Sequence, residues 1–493
     1  MGVAYFAVVA HLLPPSDIGF FAILSLIVSF IQIFGTLALS SVSVKYIAEY
    51  LARGERKKAV SVVTRVLQIS VLTSAVFSAM LLLSAEWLSK MLVGTTDLTS
   101  LFQTVGLASF FVIIFIQVAS FLQGLQRIRE VAIMNTLFAA THYVVGIYLL
   151  NMGLGLSGVI YGWLLGTVAA SLAGLILTAK FLGLVGKPHP VKPLVNFSYP
   201  IYIAGILGFV AGWIDQLFIL PIMGPEYLGV YYVALRASVV PSLVSSSIAG
   251  ALFPQLSELH AQRGLDGLRD SFYVSTRYVE LFGFPVIVGL AVLAYPAVVL
   301  IGGVGYLGAV LPLVILSVAS LFGTVGVAVG PILMTLERTR IVSVLTVVSI
   351  ILTMGITYVG LVYFRWGIVG AAFARAVTSM VVMVLSLYIL KGIFSLRLDK
   401  EALWKASVAS AFMVLAIFFL EIIRQILTPG PHQFLAFRLH LLPLYVLVGA
   451  IAYFFSLVAL KAIKKQDVEL VRDYLPKELK WLAVWLGRFA VAE

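Results

Sequence analysis

The chain reads as an all-α polytopic membrane protein of about 14 transmembrane helices, and three observations carry that reading. First, 61% of its 493 residues are hydrophobic and only 11% are charged. Soluble domains carry about 25% charged residues, so this composition cannot clothe a water-facing surface. Second, the apolar residues fall in continuous blocks of spanning length, such as 18–44, 101–123 and 368–390. A bilayer core about 30 Å thick takes roughly 20 helical residues per crossing. Unbroken rather than alternating apolarity selects helices over a barrel. Third, the basic residues alternate from loop to loop.

Taken in order, the apolar blocks predict helices at 3–13, 18–44, 60–84, 101–124, 131–151, 158–182, 196–222, 227–253, 277–301, 307–334, 341–363, 368–391, 403–425 and 441–462. The first is short: a helix over Val3–Leu13 rises only about 17 Å. Either part of a helix is missing before it, or it is a half-span capped by Pro14 and Pro15; a truncated first helix is the expectation. With the amino terminus inside, 27 of the 33 Lys and Arg residues fall in inner loops or the carboxy-terminal tail, and Lys90, Arg365, Arg424 and Arg438 fall outside. Basic residues favour the cytoplasmic side, so both termini are expected in the cytoplasm of a cell-membrane protein. The formal charge of +12 then reflects topology and contact with anionic lipid, and no nucleic-acid partner is expected.

An internal repeat organises the helices. Pro15-Ser16-Asp17-Ile18-Gly19-Phe20-Phe21 reads like Pro225-Glu226-Tyr227-Leu228-Gly229-Val230-Tyr231. Farther on, Arg53-Gly54 matches Arg263-Gly264, Arg127 and Arg129 match Arg338 and Arg340, and Gly155 and Gly158 match Gly367 and Gly370. A unit of six helices makes two like-oriented copies, a transporter architecture with substrate bound between the halves. The expected divisions are a lobe over 1–185, a second over 195–392, helices thirteen and fourteen within 400–465, and an interfacial amphipathic helix over 466–493. That tail pairs an apolar face with Trp481, Trp485 and basic residues, as helices lying in the interface do.

Charges inside helices carry the functional signal, because each costs about 2.5–3.5 kcal/mol at the bilayer centre. Asp215, Arg236 and Arg375 are such residues, each roughly 12 Å below the outer edge at 1.5 Å per residue. Asp215 and Arg236 flank the Gly224-Pro225 turn, either as an ion pair that locks two helices or as part of a cavity that binds an ionic ligand. Gln32 belongs to a polar stripe with Ser25, Ser29, Thr36, Ser40 and Ser43, lining water or bonding between helices. His11 and His142 could titrate, and Glu280 is expected to reach the inner interface.

The absences narrow the classes. The chain has no cysteine, which removes disulfides and thiolate chemistry, and its six histidines lack ligand spacing. No catalytic residues, metal or cofactor are expected. There is no phosphate-cradling loop of the P-loop kind. Movement across a bilayer, rather than catalysis, is the expectation.

Two stretches carry a family resemblance: Leu12 to Ala22, and Asp215-Gln216-Leu217 through Gly224-Pro225-Glu226-Tyr227-Leu228-Gly229-Val230-Tyr231-Tyr232-Val233-Ala234-Leu235-Arg236. With the inner loop Lys45 to Glu55, they resemble the polysaccharide-transport branch of the multidrug/oligosaccharidyl-lipid/polysaccharide exporter superfamily. The resemblance implies two six-helix lobes and flipping of lipid-linked oligosaccharide to the outer leaflet. By motif position it makes Asp215 and Arg236 the family's buried acidic and basic residues; Arg375 rests on depth alone. Partners so implied are the lipid-linked oligosaccharide, membrane lipids and a coupling ion, H+ or Na+, for a chain acting as a monomer. The alternative of the same fold is a cation-coupled multidrug antiporter.

Overall fold

The computed structural model describes residues 2–326, 328–395, 399–427, 439–464 and Gly487; within the helices, the side chains of 244–255, 257, 260 and 261 are left aside. The amphipathic tail expected over 466–493 lies outside the described residues, apart from Gly487. Among the described residues the regular structure is helical, and 11 helices are long and apolar enough to cross a membrane. A twelfth, α1 (Val3–Leu12), is apolar but short.

The chain divides into two compact units, Met1–Tyr232 and Val233–Glu493. The first holds α1, α2 (Pro15–Thr36), α3 (Leu39–Ala52), α4 (Arg56–Val93), α5 (Thr99–Gly124), α6 (Ile128–Leu149), α7 (Gly155–Phe181) and α8 (Val191–Met223). A helix α9 (Pro225–Ala237) carries the chain from one unit into the other. The second unit holds α10 (Val239–Val292), α11 (Ala294–Gly302), α12 (Val310–Val325), α13 (Val329–Thr335), α14 (Thr339–Tyr358), α15 (Ile368–Lys391), α16 (Lys400–Leu427) and α17 (Leu442–Ala459).

Small residues decide how α6 and α7 meet. Gly158, Gly162, Gly166 and Gly174 recur along α7 at intervals of four or eight, and a spacing of four places residues on one helix face. A methyl group added at Gly158 would meet Leu149 and Leu150, one at Gly162 would meet Gly146, and one at Gly174 would meet Met134. As numbers rise on α7 they fall on α6, so the two run antiparallel with backbones in near contact. Without a hydrophobic drive between helices in lipid, this close packing is what holds them.

The repeat read from the sequence recurs in the backbone. Left-handed residues stand at Gly54 and Gly264, Gly94 and Gly303, Gln126 and Glu337, and Gly155 and Gly367, each pair 209 to 212 residues apart. Gly155 (φ 54°, ψ −138°) and Gly367 (φ 59°, ψ −146°) share a conformation that side chains forbid. Each follows a π-helical turn, Leu150–Leu154 or Val359–Tyr363.

Four predicted helices are broken. The helix expected over 18–44 stops at Thr36 and restarts at Leu39 through two left-handed residues, Leu37 and Ala38. Predicted helices 227–253, 277–301 and 307–334 also divide, at Ser238, Leu293 and 326–328. Pro241, Pro296 and Pro331 each stand third in the helix that follows. Proline has no N–H for the preceding turn but fits a first turn, so each break falls one turn before a proline.

Candidate functional site

The polar stripe of α2 turns much of its hydrogen bonding inward. Ser29 Oγ donates to Ser25 O at 2.8 Å, and Thr36 Oγ1 to Gln32 O at 2.6 Å. Gln32 is half-buried, as are Ser25 and Ser29. At the break beyond Thr36, helix carbonyls lose their intrahelical partners. Thr73 Oγ1 from α4 donates to Gly35 O at 2.7 Å, and Gln117 Nε2 from α5 approaches Thr36 O at 3.5 Å. Both groups lie at membrane depth, where water is not at hand to replace them.

Asp215 lies on α8 and is 0% exposed. Tyr231 donates its hydroxyl to Asp215 Oδ2 at 2.5 Å, and the Gln216 N–H donates to Oδ1 at 3.0 Å. A buried carboxylate is tolerable only when its oxygens are bonded, and Tyr231 meets that need. The sequence analysis passed over Tyr231; its signal was its place across the Gly224-Pro225 turn from Asp215. Arg236 and Arg375 are half-buried, on α9 and α15, in the second unit.

The equivalent starts of α2 and α9 touch reciprocally. A methyl added at Gly19 would overlap Pro225 O, and one added at Gly229 would overlap Pro15 O. Pro15 pairs with Gly229 as Pro225 pairs with Gly19, which is how a two-fold axis relates self-complementary surfaces. The Pro-x-x-x-Gly signature found in both copies is therefore a contact with itself.

In the second unit, α10 and α16 are tied by a buried ion pair. Arg277 Nη1 lies 2.9 Å from Asp399 Oδ2, and Arg277 Nη2 donates to Ala462 O at 2.8 Å. Asp399 also accepts from Tyr273 at 2.7 Å and caps α16 through the Ala402 N–H at 2.9 Å. Burial pushes the Asp399 carboxyl up, but the Ala402 N–H, the Tyr273 hydroxyl and the Arg277 guanidinium outweigh it and hold it below the usual carboxylate range. Arg277 is itself buried, at 5% exposure. Glu280, expected at the interface, is 1% exposed. It stands one turn beyond Arg277 on α10, whose Leu281 and Phe284 belong to the apolar cluster that also holds Ala406 and Ala409 of α16.

Against this geometry, residues 8–311 match the family described as polysaccharide biosynthesis protein. The chain belongs to that family. That description agrees with the polysaccharide-transport branch that the sequence resembles. It is 26% identical over 301 residues to the "probable low-salt glycan biosynthesis flippase Agl15" of Haloferax volcanii, covering 61% of this chain and 63% of that one. It is 25% identical over 248 residues to an "uncharacterized membrane protein in cps region" of Klebsiella pneumoniae, covering 47% of this chain and 50% of that one. The match thus spans less than two thirds of either relative.

The family fold is shared with solved transporters. A "Lipid II flippase MurJ, inward closed conformation" superposes with TM-score 0.71 at 15% identity, over 92% of this chain and 95% of that one. An inward-facing multidrug resistance MATE family transporter superposes with TM-score 0.65 at 16% identity, over 79% and 93%. The chain is accordingly a multi-pass helical membrane protein of this fold.

Proposed function

We propose that the chain flips a lipid-linked oligosaccharide from the cytoplasmic to the outer leaflet of the cell membrane by alternating access, for surface-glycan assembly. The observation that carries this is the reciprocal Gly19–Pro225 and Gly229–Pro15 contact. Two copies of one motif meeting backbone to backbone support a gate on a local two-fold axis. In this reading fourteen crossings form two six-helix lobes, 1–185 and 195–392, followed by helices within 400–465. Both termini are cytoplasmic, and the Pro-x-x-x-Gly contact is the outer gate. A monomer with H+ or Na+ as coupling ion completes the scheme.

The half-buried Arg236 and Arg375 are assigned to the pyrophosphate, because a planar guanidinium is always charged and matches phosphate oxygens in pairs. Gln32 takes sugar hydroxyls from the half-buried face of α2. Asp215 fixes α8 against the start of α9 through Tyr231 rather than meeting the ligand. Its sequestered carboxylate and the half-buried Arg236 and Arg375 favour an anionic cargo over the cationic drugs of an antiporter.

The test is flipping of a fluorescent polyprenyl-pyrophosphate saccharide in reconstituted vesicles. R236A and R375A should each slow it about tenfold or more, in line with the loss of a charge-assisted contact worth about 1.5–3 kcal/mol. Unchanged flipping in both discards the phosphate assignment. Transport of cationic dyes at a rate that neither arginine affects would instead favour the antiporter.

A further inference from the structure

Within the first unit, α1, α6 and α7 enclose a polar pair that the flipping scheme does not use. His142 on α6 is 5% exposed and Tyr5 on α1 is 4% exposed. Their rings meet edge to face with centroids 4.9 Å apart. Among the described residues, no hydrogen-bond partner reaches His142 Nδ1, His142 Nε2 or the Tyr5 hydroxyl. Three unsatisfied atoms together are uncommon, because each such atom costs about 1–3 kcal/mol.

The surroundings are aromatic and glycine-lined. Tyr143 stacks on Tyr5 at 4.4 Å and lies 5.2 Å from His142, and Phe138 lies 5.5 Å from His142. Gly146 makes room for the Tyr5 hydroxyl, since a methyl there would overlap it. Gly162 and Gly166 bring the α7 backbone against His142. The titratable or charged groups on the packed elements are few. Beyond Tyr5, α1 carries His11, bonded to Ala7 O at 3.0 Å. Helix α6 adds Tyr143, Tyr148 and, at its other end, Arg129 and Glu130; α7 adds Tyr161 and Lys180; α5 adds none. The amino end of the chain lies nearby through Gly2, whose N–H donates to Tyr143 Oη at 2.9 Å.

We propose that His142 and Tyr5 form a proton-binding site inside the first unit, and that the coupling ion of this transporter is H+. The identification as a coupling site rests on the transport reading above. Chemistry separates the two candidate ions. Sodium requires several oxygen ligands, and here the Tyr5 hydroxyl is the one side-chain oxygen left open, beside two nitrogens. A proton requires a single lone pair, which a neutral imidazole always offers on one nitrogen. Binding converts that nitrogen into a second donor, which points away from the first across the ring. No carboxylate is needed, because the faces of Tyr5, Tyr143 and Phe138 hold a cation by their ring quadrupoles. Tyr5 lies ten residues before Pro15, so a shift of α1 on proton uptake is carried along the chain to the reciprocal glycine contact.

The chain has no cysteine, so S16C gives one thiol at that contact. Its alkylation rate in detergent, divided by the rate for the unfolded chain at the same pH, reads the gate without any sugar lipid. That ratio should change about tenfold between about pH 8 and about pH 3, a range that takes in the acid side on which an imidazole buried among apolar rings protonates. In H142Q the profile should be flat, and in Y5F it should persist with a displaced midpoint. A wild-type ratio independent of pH overturns the proposal, as does an H142Q profile matching wild type. If H142Q does not fold, an unmoved midpoint in Y5F overturns it. Because no cargo is present, this assay stands or falls apart from the flippase reading, which fails separately if the labelled saccharide does not move.

Discussion

The two copies of the repeat keep the same corners and differ along their edges. Left-handed residues recur at four corresponding turns, whereas the second helix of the first copy is broken at Leu37 and Ala38 and its counterpart in α10 runs helically through Ser247 and Ile248. A turn is a backbone requirement that few residues meet, so it persists while sequence drifts. A helix interior is held by whatever packs against it. The break in the first copy survives because Thr73 and Gln117 take the carbonyls it leaves open.

That contrast can be broken most forcefully in the second unit, which carries an ion pair tying α10 to α16. R277A leaves Asp399 buried without its cation, and such losses cost about 3–5 kcal/mol; thermal unfolding in detergent should show the largest fall of any variant named here. The same pair makes a pH prediction. A carboxylate held below its ordinary value stabilises the fold above the unfolded aspartate pKa, about 3.9, and that contribution is lost as pH falls through the lower folded value. The wild-type melting midpoint should therefore drop in acid below about pH 4, and D399N should melt lower at neutral pH with a flatter acid limb.

Alanine at the shared corners gives an intermediate effect. G155A and G367A force a side chain into a conformation that costs about 1–3 kcal/mol, and similar penalties in the two would sharpen the equivalence of the copies. Unequal penalties, with one near zero, would show that the corners match in shape but not in strain. The smallest effect separates the edges. A38G removes a left-handed strain of roughly 1–2 kcal/mol and should raise stability, while S247G places glycine in a helix interior and should lower it by about 0.5 kcal/mol. Equal signs for the two would dissolve the contrast.

Much of the fold was legible because its signals are long. Apolar blocks and alternating basic loops marked the crossings, and the Pro-x-x-x-Gly and arginine matches marked the repeat. Breaks were passed over: the predicted helices run through Pro241, Pro296 and Pro331, although proline fits only a first turn. Leu37-Ala38 contains neither glycine nor proline, and its left-handed turn depends on Thr73 and Gln117, which are distant in sequence. That Asp215 is buried was legible from its place inside an apolar helix, but its partner was not. Asp215 was found without Tyr231, and Glu280 was placed at the interface because what packs around α10 is not written in α10 itself.

The glycine seam of α7 has a consequence for biogenesis. Where Gly162 meets Gly146, the facing sides of α6 and α7 offer lipid backbone rather than side chain, which hydrocarbon tolerates poorly. Neither helix is a good solitary passenger at the insertion machinery. They should leave it together as a ready-folded hairpin, so a stalled ribosome exposing α6 alone would hold it at the exit until α7 is made.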